Sequence, residues 1–171
     1  VYVGGNDVFA LDAASGDEFW RFETDTIVRS VPTVTEKTVY VGSNDNSLYA
    51  INKLTGTQRW AFETGGSVVS SPTVADGTVY IGSGDDHIYA LDAETGDRQW
   101  AFETGGSVNS SPTVSDGTVY VGSADHEVYA LDAKDGEVAW SLDTGDSVGG
   151  SPVVDEATVY VRSFRRGLYA I

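Results

Sequence analysis

The sequence predicts an all-β fold made of one four-stranded unit that is repeated along the chain. Four tryptophans mark the repeat at a spacing of 40 residues: Trp20, Trp60, Trp100 and Trp140. Around each of them, short stretches of Val, Ile, Tyr and Thr alternate with polar residues and are separated by turn residues. A period of about 40 to 45 residues is typical of four-stranded propeller blades. The chain is therefore predicted to be a β-propeller of four-stranded antiparallel blades.

Each complete unit contains four predicted strands, which we name a to d. In the third unit they cover 71–75, 78–83, 87–92 and 98–103. The turn from c to d has a glycine where a turn followed by a bulge requires a left-handed residue. The glycines at this position are Gly16, Gly56, Gly96 and Gly136.

The turns and prolines around strand a predict its place in the blade. Asp76-Gly77 and Asp116-Gly117 connect a to b and are typical of tight hairpins in which both central residues have positive φ. Glu36-Lys37 and Glu156-Ala157 hold the same place and predict looser turns or another turn type. A proline opens each strand a, and its missing N–H is tolerated only at a sheet edge. We expect strand a to be the edge strand that faces the channel.

The segment from Ala90 to Trp100 resembles the Ala-x-Asp-x-x-Thr-Gly-x-x-x-Trp signature of pyrroloquinoline-quinone (PQQ) repeats, and the segment from Ala130 to Trp140 shows the same pattern. The resemblance to the PQQ-like repeat β-propeller family covers the whole chain. It implies that all four tryptophans are structural and dock between neighbouring blades, near a small alanine and the glycine turn. For Trp60 the expected neighbours are Ala50 and Gly56. Small departures from the signature occur at Ser15, Asn52 and Asp135.

The strand count predicts an arc rather than a closed ring. The chain is one propeller segment, 1–171, with repeat units 1–37, 38–77, 78–117, 118–157 and 158–171. Three blades are complete and two are partial, and strand c is present in both partial blades, so they cannot merge into one shared blade. Rings of this family usually close with about seven or eight blades. We expect about five blades of a larger ring, or an arc that needs a partner chain; a self-contained ring with two incomplete blades is the alternative.

The charge of the chain excludes some partners and suggests a source. Acidic residues number 26 against 10 basic ones, a net charge of -16 that repels nucleic acids and anionic lipid surfaces. No apolar run approaches the ~20 residues of a membrane span. Lysine is scarce among the basic residues, which favours a protein adapted to high salt, where ions screen the self-repulsion. An acidic secreted domain in ordinary salt is the alternative. We expect a halophilic extracytoplasmic or cell-surface protein.

The resemblance also implies what an enzyme of this family would need. In its dehydrogenases, PQQ lies over the channel with calcium, a carboxylate base, a tryptophan floor and a disulfide between adjacent cysteines. This chain has no cysteine, and its four tryptophans all hold the docking position. We therefore expect no catalytic residues and no cofactor; PQQ with calcium belongs only to the alternative of an alcohol or sugar dehydrogenase fragment.

Residues that differ between repeats are the candidates for binding. In the crossing from strand d to the next strand a, equivalent positions hold Arg29, Val69, Asn109 and Gly149. The loops from b to c add carboxylates and imidazoles: Asp45, Asp85, His87, Asp125 and His126. Adjacent residues on a strand point to opposite sides, so these loops predict no metal site. The alternative to a recognition face is that these solvent-exposed positions differ only through sequence drift.

The last unit departs most from the repeat. It carries Arg162, Phe164, Arg165 and Arg166 where other units have glycine, serine and acids. These residues predict a contact with a protein partner or with the remaining blades of the ring, and a salt bridge between blades is the alternative. The sequence thus predicts a non-catalytic interaction or scaffold module, similar to the propeller of the bacterial outer-membrane assembly lipoprotein. A dehydrogenase fragment and a small-ligand sensor are its rivals.

Overall fold

The computed structural model describes residues 1–171 as 18 β-strands in five separate antiparallel sheets, which we call blades 1 to 5. Blade 1 contains β1 (Tyr2–Gly4), β2 (Asp7–Leu11) and β3 (Glu18–Glu23). Blade 2 contains β4 (Thr33–Val34), β5 (Thr38–Gly42), β6 (Ser47–Asn52) and β7 (Gln58–Glu63). Blade 3 contains β8 (Thr73–Ala75), β9 (Thr78–Gly82), β10 (His87–Asp92) and β11 (Arg98–Glu103). Blade 4 contains β12 (Thr113–Ser115), β13 (Thr118–Gly122), β14 (Glu127–Asp132) and β15 (Val138–Asp143). Blade 5 contains β16 (Val153–Asp155), β17 (Thr158–Ser163) and β18 (Gly167–Ala170).

The predicted fold class is confirmed: the chain is an all-β partial propeller whose sheets do not close into a ring. Within each complete blade the strands follow one another in the order a, b, c, d, and strand a lies at the sheet edge. In blade 3, strand a begins at Thr73, directly after Pro72, because proline has no N–H for the sheet. No helix in the chain is long and apolar enough to cross a membrane.

The turns follow the predicted chemistry. Gly96 has a φ of 80° in the turn from c to d, and the register of strand c shifts between Ala90 and Leu91, as expected for a bulge. Gly16, Gly56 and Gly136 repeat the positive φ. The unusual a-to-b turns differ as predicted: Glu36-Lys37 has no positive φ, and in Glu156-Ala157 only the first residue has one, at 52°.

The hydrophobic core lies between the blades rather than within one sheet. Between blades 2 and 3, one side of the core is formed by Tyr40, Leu48, Ala50 and Trp60, and the other by Val79, Ile81, Tyr89 and Leu91. Six of these eight side chains have no more than 3% of their surface exposed. Full burial of such a side chain is worth about 1.5 to 3 kcal/mol, so each blade depends on its neighbours for stability.

The tryptophan of each blade packs on the glycine turn of the next blade. A Cβ on Gly96 would lie only 2.7 Å from the ring of Trp60, so no larger residue fits there. The Trp60 Nε1 and the Tyr40 hydroxyl both donate to the carbonyl oxygen of Ala93, at 3.2 and 2.8 Å. Trp20 contacts Gly56 and Trp100 contacts Gly136 in the same way.

This geometry corrects one expectation. Trp60 does lie opposite Ala50 across its own sheet, but its glycine partner is Gly96 of blade 3. Gly56, the glycine of the same unit, instead receives Trp20 of blade 1. The expected pairing of Trp60 with Gly56 was wrong because the c-to-d turn faces the preceding blade, whereas strand d faces the following one.

A ladder of serine hydroxyls connects the inner strands. The backbone N–H of Ser71 donates to the Ser111 hydroxyl at 2.8 Å, and the Ser111 N–H donates to the Ser151 hydroxyl at 3.0 Å. Val31 donates to Ser71 in the same way at 2.9 Å. These bonds join residues 40 positions apart, so the strands at the channel are held across blades although each is a free edge within its own sheet.

The two terminal blades have one open side each. No atom lies within 4 Å of the position that a Cβ would take on Gly16, the blade 1 equivalent of Gly96. At the other end, Trp140 is only half-buried and Leu168 is 73% exposed. Gly16 and Gly96 therefore share a turn and a φ but differ in whether a tryptophan covers them.

That difference provides a test of the tryptophan contact. Gly16→Ala should cost about 1 to 2 kcal/mol, the cost of placing an alanine in the left-handed region. Gly96→Ala should cost that amount plus about 1 to 3 kcal/mol, because its Cβ overlaps the Trp60 ring. The free energy of unfolding by urea measures both. Equal losses of unfolding free energy for the two variants would contradict the contact between Trp60 and Gly96.

Candidate functional site

The loops from b to c and the crossings from d to a meet on one face of the arc. The N–H of Gly84 donates to the carbonyl of Ser67 at 2.9 Å, and Ala124 bonds to Ser107 at 3.0 Å in the next blade. Asn44 with Ile27 and Phe164 with Ser147 repeat the bond. The backbone of this face, which we call the loop face, is therefore the same in blades 2 to 5, and only its side chains differ.

Three predicted binding carboxylates hold the loop face together. The Asp85 Oδ2 accepts from the N–H of Gly65, in the preceding crossing, at 2.6 Å and from the Tyr89 hydroxyl at 2.8 Å. Its Oδ1 accepts from the N–H of His87 at 3.2 Å. Asp125 repeats this arrangement, and Asp45 does so with longer bonds to the crossing and to the tyrosine, at 3.3 and 3.1 Å. We call each such aspartate a latch, because it ties a loop to the crossing that precedes it.

The latch environment shifts the pKa values of both partners. Burial raises the pKa of Asp85, but hydrogen bonds from Tyr89, Gly65, Ser83 and His87 outweigh it, so the net pKa lies below the usual value of 3.8. Asp125 is shifted in the same direction. Burial and the neighbouring carboxylate raise the pKa of Tyr89 far above its usual value. At neutral pH Asp85 and Asp125 are therefore charged acceptors, and Tyr89 is a fixed donor.

The two histidines lie on the loop face but do not meet. The His87 Nδ1 is 2.8 Å from the carbonyl oxygen of Asp85, and its ring stacks on Tyr89 at 5.6 Å. His126 is exposed on the next blade and has a φ of 84°. No group of three His, Cys, Asp or Glu side chains comes together in the chain.

The crossing positions that differ between repeats point to solvent from a fixed backbone. Arg29 and Asn109 are exposed. Their neighbours are buried: Val28, Ser30, Val108 and Ser110. Val69 is half-buried and Gly149 is exposed at the equivalent positions. The structure thus places these residues at one position of successive blades, as a row along the loop face.

Blade 5 carries the residues that the sequence predicted to contact a partner. A cavity of about 310 Å³ is lined by Ser147, Gly149, Gly150, Arg162 and Phe164. Arg162, Arg165 and Arg166 form no ion pair in the chain; the arginines that do are Arg21 and Arg59. No salt bridge joins these arginines to blades 1 to 4, and a salt bridge to a following blade stays a prediction.

A family model described as outer membrane protein assembly factor BamB matches residues 4–171. The chain belongs to this family. The match covers all five blades and agrees with the PQQ-like repeat recognised in the sequence.

Three solved structures show how the BamB-like fold is shared. BamB from Moraxella catarrhalis is 20% identical with a TM-score of 0.83, and the alignment covers 99% of this chain and 57% of that one. The computationally designed Ika8 protein is 17% identical with a TM-score of 0.87, over 99% and 55%. Quinohemoprotein alcohol dehydrogenase ADHIIG from Pseudomonas putida HK5 is 21% identical with a TM-score of 0.87, over 99% and 38%. This BamB-like chain spans little more than half, or less, of each. No curated protein matches the sequence.

Most tryptophans and loop carboxylates of the BamB-like chain are engaged in the fold itself. Trp20, Trp60 and Trp100 are covered by the next blade, and Trp140, which is half-buried, is paired with Tyr120 at a ring distance of 5.9 Å. The latch carboxylates are occupied by hydrogen bonds, and no three acidic or imidazole groups converge.

The latches were missed in the sequence, although a signal was present. Asp45, Asp85 and Asp125 are each followed by a tyrosine four residues later. A repeated Asp-x-x-x-Tyr spacing at a constant position indicates a shared structural bond rather than a variable binding surface. Blade 5 has Arg165 at the aspartate position and keeps the tyrosine, Tyr169, which donates to the Thr144 carbonyl instead.

The latch predicts a pH-dependent loss of stability. A carboxylate whose pKa is lowered on folding stabilises the protein above its unfolded pKa, and this contribution disappears as pH falls through the folded pKa. Asp85→Ala should cost about 1 to 3 kcal/mol at neutral pH. The difference from the unmodified chain should shrink below pH 3.8.

Urea unfolding between pH 7 and pH 2.5 measures this effect. The control is Asp155→Ala, an exposed carboxylate without a hydrogen bond, which should cost no more than about 0.5 kcal/mol. A constant cost of Asp85→Ala across this range would contradict a charged latch.

Proposed function

We propose that this BamB-like chain is a non-catalytic propeller module that binds a protein partner through its loop face. The observation that carries the proposal is the contrast between backbone and side chains on that face. The backbone contacts of blades 2 to 5 are equivalent, whereas the side chains of Arg29, Asn109 and the Arg162 cluster differ from those at the equivalent positions of other blades. Different side chains on a rigid scaffold are the usual basis of recognition.

The exposed residues that have no structural role favour binding over catalysis. The tryptophans pack between blades and the three loop aspartates are latches, so neither group is free for chemistry. The side chains that stay exposed on the loop face include four arginines, Asn109 and Phe164. The arginines are Arg29, Arg162, Arg165 and Arg166. Arginine and aromatic side chains are enriched at protein interfaces.

The family description and the composition support the location. The matching family is described as an outer membrane assembly factor, which favours an extracytoplasmic or cell-surface site. The net charge of -16 and the three lysines among ten basic residues favour a halophilic source, because high salt screens repulsion between like charges.

A dehydrogenase fragment is the second candidate, because the fold matches an alcohol dehydrogenase with a TM-score of 0.87. At 21% identity this match supports the fold alone, and the fold is shared by proteins of different function. The proposal of a binding module therefore depends on the residues on the loop face.

A titration separates these two candidates. With PQQ and calcium added at high salt, we expect no change in tryptophan fluorescence and no dye reduction with an alcohol or a sugar. Saturable quenching together with dye reduction would overturn the non-catalytic assignment.

Photo-crosslinking tests the loop face directly. A photoreactive amino acid at Arg29 or Asn109 should give discrete cross-linked products in extracts of the source cells. The same residue at Val138, exposed at the start of an outer strand, is the control and should give none. Equal products at all three sites would contradict a specific face.

A further inference from the structure

Blade 5 differs from the other blades at two positions that face each other. In blade 3 the Ser70 hydroxyl accepts from the N–H of Gly82 at 2.8 Å, at the end of strand b. Ser30 with Gly42 and Ser110 with Gly122 repeat this bond. In blade 5 the serine is replaced by Gly150 and the glycine by Arg162. A Cβ on Gly150 would lie 3.1 Å from the Arg162 Cβ, so the loss of the serine side chain makes room for the arginine.

Arg162 also occupies a position that a valine of the following crossing covers in the other blades. In blade 3 the crossing that leaves the blade packs Val108 on Gly82, where a Cβ would overlap the valine Cγ1. The other blades repeat this contact: Gly4 with Val28, Gly42 with Val68 and Gly122 with Val148. Arg162 has a Cβ at this position. The contact of a valine on a glycine without a side chain therefore has no equivalent at Arg162.

The loop beside Arg162 has lost its latch but kept its backbone position. The Phe164 N–H donates to the Ser147 carbonyl at 2.9 Å, as in the other blades. Arg165 stands where the latch aspartate would be, so the N–H of Gly145 donates to Asp143 of its own strand instead, at 2.7 Å. Arg165 and Arg166 in this loop, and Arg162 near the end of β17, thus have no carboxylate partner.

The exposed groups of this site match one kind of ligand. Arginine binds a carboxylate through two parallel hydrogen bonds. Phe164 is 70% exposed beside Arg162 and offers a flat apolar surface. The cavity of about 310 Å³ is large enough for one side chain and small for a cofactor. The surrounding charge of -16 disfavours nucleic acid, whose phosphates repeat along the whole ligand.

We propose that the blade 5 cavity binds an acidic peptide segment of a protein partner, in which a carboxylate lies next to an aromatic side chain. Arg162 binds the carboxylate and Phe164 packs on the aromatic ring, while Arg165 and Arg166 attract neighbouring acids. This inference rests on the proposed binding function and names the chemistry of the partner.

Fluorescence anisotropy with a defined peptide tests the inference on the unmodified chain. The probe is a labelled eight-residue peptide with Phe between Asp and Glu, and the control peptide carries Asn and Gln in their place. The acidic peptide should bind at least tenfold more tightly than the control, at the salt concentration that keeps the chain folded. Equal binding of both peptides, or no binding, would overturn the proposal.

Two variants and one matched control locate the site. Arg162→Gln should weaken binding of the acidic peptide at least tenfold. Gly150→Ser should weaken it at least fivefold without any change in charge, because the serine enters the cavity. Arg98→Gln removes an exposed, unpaired arginine of blade 3 and should leave the affinity within twofold. An equal loss for Arg98→Gln and Arg162→Gln would show a general charge effect and overturn the site; far-UV circular dichroism confirms that each variant is folded.

Competition separates the other ligand classes. Inorganic phosphate or a single-stranded oligonucleotide that displaces the peptide at equal concentration would overturn the proposal in favour of an anion site. If the acidic peptide does not bind but Arg29 and Asn109 still form cross-links, this inference alone is overturned. Failure of both experiments would remove the proposed function as well.

Discussion

The contact between a tryptophan ring and the glycine turn of the next blade is the constraint on which the rest of the structure depends. The ring of Trp60 needs Gly96 without a side chain, Ala50 small across the sheet and the Ala93 carbonyl as an acceptor. These requirements fix the tryptophan, the glycine and the small alanine of each unit and keep the 40-residue spacing, whereas the acceptor carbonyl can belong to any residue, such as Lys53 for Trp20. Because the ring belongs to one blade and its site to the next, no blade is complete alone. The order of the arc is therefore a chain of nearest-neighbour contacts.

That constraint also decides where function can lie. Residues between the blades cannot change without loss of packing, and the serine ladder fixes the inner strands. The loop face is the region where backbone bonds are equivalent but side chains differ between blades. Blade 5 shows how far such variation can go: Arg162, Gly150 and Arg165 all change, while the Phe164 to Ser147 bond keeps its place. A rigid arc with one variable face suits recognition better than chemistry.

The sequence alone predicted the fold well because the repeat is visible as a regular spacing of residues. The tryptophan spacing, the turn glycines and the prolines each have one physical explanation, so strand order and blade number followed. Contacts between units were harder to predict. The spacing could not tell whether Trp60 meets Gly56 or Gly96, since both lie at a regular distance in sequence. The loop aspartates had the appearance of free ligands, because their partners, such as Gly65 for Asp85, lie in another unit.

Each blade is stabilised above all by its neighbours, and hydrogen exchange of three similar strands tests this most directly. β9, β13 and β17 all begin with Thr-Val-Tyr and occupy the same place in their blades. Their burial decreases from β9, which is buried throughout, to β17, which is partly exposed. We expect amide protection to fall in the order β9, β13, β17. Equal protection in all three strands would show that blades are stable by themselves and would contradict stabilisation by neighbours.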